Sequence, residues 1–324
     1  MSKMYLINEF KELIESGLDK NEIMKRLNIS ERTYYRWKKK INYEKPNPPT
    51  LNRAIDDIIK TKKEIFEYEK NKELYYNGIP IKFKEDKKIG IIFMGDPHLD
   101  NPKTDLELFE KHMKLTKETD DVYLIGLGDY LDNWVGYLSK LFSEHHITQD
   151  EALAIIKHYF EDVHFLAAII GNHDKWNLFE IYFREIIGED TIIGDEIRLK
   201  LQFPSNEFTI RMRHSFTGRS QYNPAFPTVK QAIFNLPDDI ICMGHTHQLG
   251  YQIWPQPYGK LSHCFVVGSY KRYDDYGKSF MTHDTNLSPA VFVIIDPKDK
   301  SLDNIKIFFD VEKGIEFFEK IKKN

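Results

Sequence analysis

Five short motifs of histidine, aspartate and asparagine follow one another along this chain, all but one at the end of an apolar run. IGIIFMG leads into Asp96-Pro97-His98, VYLIGLG into Asp129, and HFLAAIIG into Asn172-His173-Asp174. TIRMR ends on His214, and DIICMG leads into His245-Thr246-His247. Short apolar runs bounded by glycine read as buried strands. Strands that each end on a polar residue can gather those residues at one edge of a sheet, where they plan a metal site. Asp and Asn supply oxygen and His supplies nitrogen, a mixed set that suits manganese, iron, zinc or nickel over calcium or magnesium.

Helical patterns at 105–118, 150–160 and 176–187 alternate with these runs, and further strands are expected at 264–269, 290–295 and 305–310. Helices between strands first, then strands close together, predict an α/β layered domain with a mixed sheet. A terminal helix is expected over 312–323.

The head of the chain has a different character. Leu6, Phe10, Leu13 and Ile14 recur at helical spacing before Gly17. A second helix begins near Asp19, and Asn28-Ile29-Ser30 makes a turn, with Ser30 placed to cap a third helix from Glu31 to Ile41. Tyr34 and Trp37 can face the first two helices, leaving Arg32, Arg36, Lys38, Lys39 and Lys40 mainly on other faces. Pro46-Asn47-Pro48-Pro49 then forces extended chain, and a charged helix is expected over 51–76. The expected organisation is a small all-α domain at 1–45, a proline-containing linker and connecting helix at 46–86, a main domain at 87–311 and a C-terminal helix at 312–324.

Charge follows this division. Residues 1–45 hold 11 basic and 7 acidic residues, a net of +4, so the rest carries −8 of the total of −4. A basic head on an acidic body suits a polyanion contact at the head. With 41% hydrophobic and 14% aromatic residues, the chain can furnish a substantial core. No apolar run approaches the roughly 18 residues that span a bilayer. Glu9 and Lys11 in the first apolar stretch do not suit a signal peptide, and Cys242 and Cys264 lack zinc or disulfide spacing. These features predict a cytoplasmic protein with two buried thiols and no membrane partner.

In order and spacing, DPH, GDYLD, GNHD, His214 and GHTH resemble the motifs of the calcineurin-like metallophosphoesterases. The resemblance implies two central sheets flanked by helices, two divalent ions (manganese first, with iron, zinc or nickel as alternatives) and hydrolysis of a phosphate ester. It also implies roles. Asp96, His98 and His247 would hold one ion; Asn172, His214 and His245 the other; Asp129 would be shared. His173 would protonate the leaving oxygen, and Asp174 would orient and charge its imidazole. His214 departs from the family pattern, since Ser215 and not glycine follows it. His263 competes for its place but comes after GHTH.

Asp132 and Asn133 are expected behind the ligands or capping the loop, while His145 and His146 are expected at the surface. Arg219, Tyr222, Lys271 and Arg272 are candidates for holding substrate phosphates at the rim. The run IMKRLNISERTYYRWKKK resembles a helix-turn-helix, which implies a third helix in the major groove of DNA. Together these features predict a phosphodiesterase acting on DNA. The alternatives are a phosphomonoesterase or small-molecule diesterase whose head serves a homodimer, and a DNA-binding regulator with a non-catalytic phosphoesterase-like domain.

Overall fold

The computed structural model describes residues 3–41, 54–73, 78–134, 145–176, 179–188, 191–220, 222–272 and 288–322. The chain divides into two compact units, Met1–Lys70 and Asn71–Asn324.

The first unit opens with α1 (Lys3–Glu15), α2 (Lys20–Leu27) and α3 (Glu31–Ile41). The Asp19 carboxylate caps α2 by accepting from the Asn21 and Glu22 N–H groups, and Asn28 ends that helix in the left-handed region at φ 49°. Ser30 Oγ accepts from the Thr33 N–H and so caps α3. Phe10, Leu13, Ile23, Leu27, Tyr34 and Trp37 form the small core. The Phe10 ring meets Tyr34 edge-on at 5.3 Å and Trp37 at 5.5 Å. The burial of Tyr34 and Trp37 leaves Arg32, Arg36 and Lys38 exposed on α3. The side chains of Lys39 and Lys40 lie outside the described residues, as do Pro46 to Pro49. The connecting helix α4 spans Ile55–Glu73, with Ile55, Ile59 and Phe66 exposed.

The second unit stacks two six-stranded sheets between helices. In chain order it contains β1 (Ile79–Lys82), β2 (Ile89–Met94), α5 (Leu106–Glu118), β3 (Val122–Gly126), α6 (Gln149–Phe160), β4 (Phe165–Ile169) and α7 (Phe179–Ile187). There follow β5 (Ile192–Gly194), β6 (Glu196–Gln202), β7 (Glu207–Arg213), α8 (Phe226–Phe234), β8 (Ile240–Met243) and β9 (Gly250–Gln256). The chain closes with β10 (Lys260–Val266), β11 (Ala290–Ile295), β12 (Ile305–Phe308) and α9 (Val311–Lys322). One sheet runs β1-β6-β7-β8-β10-β9 and the other β12-β11-β2-β3-β4-β5.

Strand alternation explains the layering. Ile89, Ile91 and Phe93 of β2 turn toward the facing sheet and meet Ile210, Ile240 and Phe265 in a core between the sheets. Ile92 and Met94 turn the other way and pack with Phe109, Ile156, Phe183 and Phe318 of the helices. Buried on both faces, β2 therefore reads as a continuous apolar run. On the opposite sheet Ile241, Met243 and Cys264 pack beneath Val229 and Ala232 of α8. Cys242 faces the core between the sheets, so the two buried thiols lie on opposite faces of their sheet.

Two segments assigned outside the main domain from sequence belong to this unit. β1 pairs in parallel with β6 at the sheet edge, Ile79 opposite Leu199. Helix α9 buries Phe318 in the helix-side core. Four residues of β1 carry too short a pattern to reveal a partner more than a hundred positions away.

A buried histidine outside the motifs gives the fold a pH dependence. His112 on α5 meets the Tyr270 hydroxyl at 2.7 Å, and burial pulls its imidazole down to about 4. An unfolded chain holds this proton near pH 6.5, so stability contributed above that pH is lost as pH falls toward 4, on the order of 3 kcal/mol at most. The expected result is that urea unfolding of His112→Gln shows a shallower loss of stability than wild type between pH 6.5 and 4.5. Parallel profiles would show that His112 does not titrate in this way.

Candidate metal centre

β2, β3 and β4 lie parallel and adjacent in one sheet, and β7 and β8 lie parallel and adjacent in the other. The carboxyl ends of these five strands carry all five motifs to one edge of the sandwich. Pairing continues past the strands, for the Asp96 N–H donates to the Gly128 carbonyl and the His98 N–H to the Asp129 carbonyl.

The loops are bent to present side chains. Asp96, His98, Asp129, His245 and His247 all adopt the left-handed region, with φ of 51°, 44°, 56°, 72° and 56°. Such backbone is uncommon outside glycine and costs on the order of 1–3 kcal/mol per residue. Five candidate ligands in this conformation mean that the surrounding pairing holds them there. Glycines make room for them. A Cβ on Gly171 would collide with Asp129 Oδ1, and one on Gly244 with Asp96 Oδ2.

The side chains converge in two groups. In the first, His98 Nε2 and His247 Nε2 are 3.2 Å apart, and His247 Nε2 is 3.3 Å from Asp96 Oδ1. In the second, His214 Nε2 lies 3.0 Å from Asp129 Oδ2, 3.1 Å from Asn172 Oδ1 and 3.1 Å from His245 Nδ1. Asp96 Oδ2 accepts the His245 N–H at 2.7 Å and so ties the two loops.

The donor atoms fit a divalent cation in each group. His98 Nδ1 is 2.8 Å from Asp132 Oδ1, and His214 Nδ1 is 2.7 Å from the Leu127 carbonyl. In both rings Nδ1 is turned outward, so Nε2 is the atom presented to the centre. Asp96 Oδ1 is buried, with His247 Nε2 3.3 Å away. Asp96, His98 and His247 form one set whose ligand atoms lie within 4.8 Å of one another, and Asp129, His214 and His245 another. Inward ring nitrogens gathered with buried carboxylate oxygens suit a divalent cation between them.

The electrostatics agree. Burial would raise the Asp129 carboxyl, but the adjacent His214 charge holds it well below the usual range. Against its own burial, His214 is pushed up to about 10 by Asp129 and Asp96. Burial, then the Lys271 ammonium, take His98 down to about 4, so it stays neutral. The edge thus favours a positive charge, and a bound cation would displace the His214 proton.

His173 and Asp174 differ from expectation. Asp174 is fully buried, and its carboxylate accepts from the N–H groups of Asp129, Tyr130 and Gly171 at 2.7, 2.9 and 2.8 Å. Its bonds serve the backbone of the ligand loops and not the His173 ring. Burial and the neighbouring Asp129 charge push Asp174 up to about 8. The imidazole is oriented by the Asp132 backbone carbonyl instead, 2.5 Å from His173 Nδ1. Trp134 and Trp176 pack on the ring, with centroids 4.9 and 4.5 Å away. His173 Nε2 is left pointing toward the centre, 3.9 Å from Asp129 Oδ2.

Other candidates separate clearly. His263 does not join the cluster; its Nδ1 meets the Tyr251 hydroxyl at 2.8 Å. His145, expected at the surface, has a buried side chain against Asp132 and Asp100, whereas His146 is exposed. Lys271, expected at the rim, is buried and paired with Asp132. Arg219, Arg272 and Tyr222 are exposed, Tyr222 by 96%. Asn133 Nδ2 donates to the His173 and Trp176 carbonyls and holds that turn. Sequence spacing carried no signal for the roles of Lys271, His145, Asp100, Asn101, Trp134 and Trp176, because polar pairs across loops have no periodicity.

A two-sheet α/β layered fold with His and Asp clustered at one strand edge defines a scaffold that could hold metal ions. Residues 89–249 match the family model for calcineurin-like phosphoesterases, and that stretch is a calcineurin-like phosphoesterase domain. Comparison with curated proteins gives no match. Among solved structures, the chain is similar to a novel archaeal phosphodiesterase at 16% identity and TM-score 0.36, covering 68% of this chain and 99% of that one. Similar values hold for vacuolar protein sorting 29 from Cryptosporidium parvum, at 16% identity and TM-score 0.36, covering 69% and 98%. An NAD nucleotidase from Haemophilus influenzae matches at 12% identity and TM-score 0.37, covering 68% of this chain and 49% of that one. Among the described residues, no helix is long and apolar enough to cross a membrane.

Proposed function

We propose that this protein is a phosphodiesterase that uses two divalent ions, manganese first among them, to hydrolyse DNA held by its N-terminal helices. The observation that supports it most strongly is the pair of converging groups, Asp96, His98 and His247 in one and Asp129, His214 and His245 in the other. Asp96, His98 and His247 would hold one ion, and Asn172, His214 and His245 the other, with Asp129 shared. When bound, such ions supply positive charge to the phosphoryl oxygens and acidify water.

The chain's own groups supply the rest. His173 Nδ1 donates to the Asp132 carbonyl, so Nε2 is the edge that can carry a proton to the leaving oxygen. The two indoles limit rotation of that ring, and Asn133 fixes its turn. Asp174 holds the Gly171 and Asp129 backbones together, which keeps Asn172 and His173 in register with Asp129.

The DNA reading rests on the exposed basic face of α3, with Arg32, Arg36 and Lys38 outside the buried Tyr34 and Trp37. Lys39 and Lys40 extend that basic run in sequence. In a helix-turn-helix these residues meet phosphates and base edges. The test compares wild type with Arg32→Ala/Arg36→Ala/Lys38→Ala on labelled duplex DNA and on a small chromogenic phosphodiester. The expected result is weaker DNA cleavage, a salt slope shallower by about 1 for each phosphate that the variant no longer neutralises, and unchanged turnover of the small diester. Equal effects on both substrates, or on neither, would leave the helices a dimerisation role.

A further inference from the structure

Behind His98 lies a buried polar cluster that takes one residue from GDYLD and the others from outside the five motifs. Its centre is Asp132, which is fully buried. Asp132 Oδ1 lies 2.8 Å from His98 Nδ1 and 2.9 Å from Lys271 Nζ. Asp132 Oδ2 accepts from Asn101 Nδ2 at 2.6 Å and lies 3.2 Å from His145 Nε2. The backbone carbonyl of the same residue accepts from His173 Nδ1. One residue therefore fixes a candidate ligand through its side chain and the candidate proton donor through its main chain.

Lys271 reaches Asp132 from the segment after β10, and its place there is built. Its ammonium lies 5.5 Å from the Trp134 ring centre, and its N–H donates to Ser269 Oγ at 2.9 Å. Ser269 Oγ in turn donates to the Asp96 carbonyl at 2.6 Å, and Lys271 bridges Thr104 across the loop. Asp100 and Asp132 are neighbouring buried carboxylates, and a buried carboxylate without a counter-charge is strongly disfavoured. The ammonium supplies that counter-charge within the Asp100, Asp132 and His145 group, so we do not read the group as a further ion site.

We propose that Lys271 is a positioning residue: through Asp132 it aims His98 Nε2 at the first ion and sets that ligand against His173. This rests on the two-ion reading above. Without the ammonium, Asp132 loses its anchor on the Oδ1 side, the His98 ring is freed to turn, and the first ion is held less firmly. Partners behind metal ligands typically contribute roughly 10- to 100-fold in metal affinity.

The test uses full-length protein, stripped with a chelator and titrated with Mn²⁺ by calorimetry. Wild type is compared with Lys271→Met, Asp132→Asn and the double variant, with thermal unfolding of each stripped protein alongside. The double variant removes both charges together, so it remains informative if Lys271→Met alone fails to fold. The expected result is two Mn²⁺ binding steps in wild type, one of them weakened roughly 10- to 100-fold in Lys271→Met and the other unchanged. The double variant should bind like Asp132→Asn alone, since Lys271 acts through Asp132. Wild-type binding by Lys271→Met, additive losses in the double variant, or equal weakening of both steps in proportion to lost thermal stability would overturn it. Wild type that binds no Mn²⁺ would remove the two-ion reading itself, and this inference with it.

Discussion

Replacing His173 by alanine is expected to slow phosphodiester hydrolysis by roughly 10²- to 10⁴-fold while leaving the binding of divalent ions unchanged. The separation follows from the geometry. His173 joins neither the Asp96 group nor the His214 group, and its Nδ1 is committed to a backbone carbonyl. Its remaining nitrogen faces the centre from 3.9 Å, close enough to serve substrate bound there. Steady-state rates at saturating Mn²⁺, with calorimetry on the same samples, separate the two effects. A variant that loses ions as readily as activity would make His173 a ligand. One that keeps full activity would remove the proton-donor role. A leaving group of low basicity should recover part of the lost rate, because it departs without a proton.

The second large effect is expected at Asp174 and falls on the fold. Asp174→Asn keeps the shape but turns an amide toward backbone N–H donors, and Asp174→Ala leaves three buried N–H groups without acceptors. Each unsatisfied donor costs on the order of 1–3 kcal/mol, so a loss of about 3–9 kcal/mol is expected for the alanine variant. Denaturant unfolding followed through the larger unit measures it. Had Asp174 charged the His173 imidazole, as the motif suggested, the variant would lose activity with little change in stability. That outcome would contradict the backbone role. Loss of ion binding together with stability is expected here, since Gly171 and Asp129 would no longer be held together.

Much of the site was legible in the sequence because its physics is local. IGIIFMG, VYLIGLG and HFLAAIIG are short, apolar and bounded by glycine, and they form β2, β3 and β4 within a residue or two. Apolar runs of this kind arise where a strand is buried on both faces, and the parallel order of those strands places their ends together. Candidate ligands that follow strands directly could therefore be picked out from sequence. Partners that meet only across loops were not. His145 and Lys271 find Asp132 from segments that share no period with it. The role of Asp174 was misassigned for a related reason: adjacency to His173 in sequence suggested contact, whereas the turn sends the two side chains opposite ways. β1 escaped because four alternating residues do not disclose a parallel partner. In the head, Asp19, Asn28 and Ser30 marked the helix ends because caps act over three residues.

Cleavage of labelled duplex DNA by metal-stripped full-length protein, with and without added Mn²⁺ and beside Asp129→Asn, is the most direct measurement of what this site does. Cleavage that appears only with Mn²⁺ and is absent from the variant is the expected result. Wild type and Asp129→Asn that cleave equally, or wild type that binds Mn²⁺ and leaves both DNA and a chromogenic phosphodiester intact, would contradict a hydrolytic centre built on these two ligand groups.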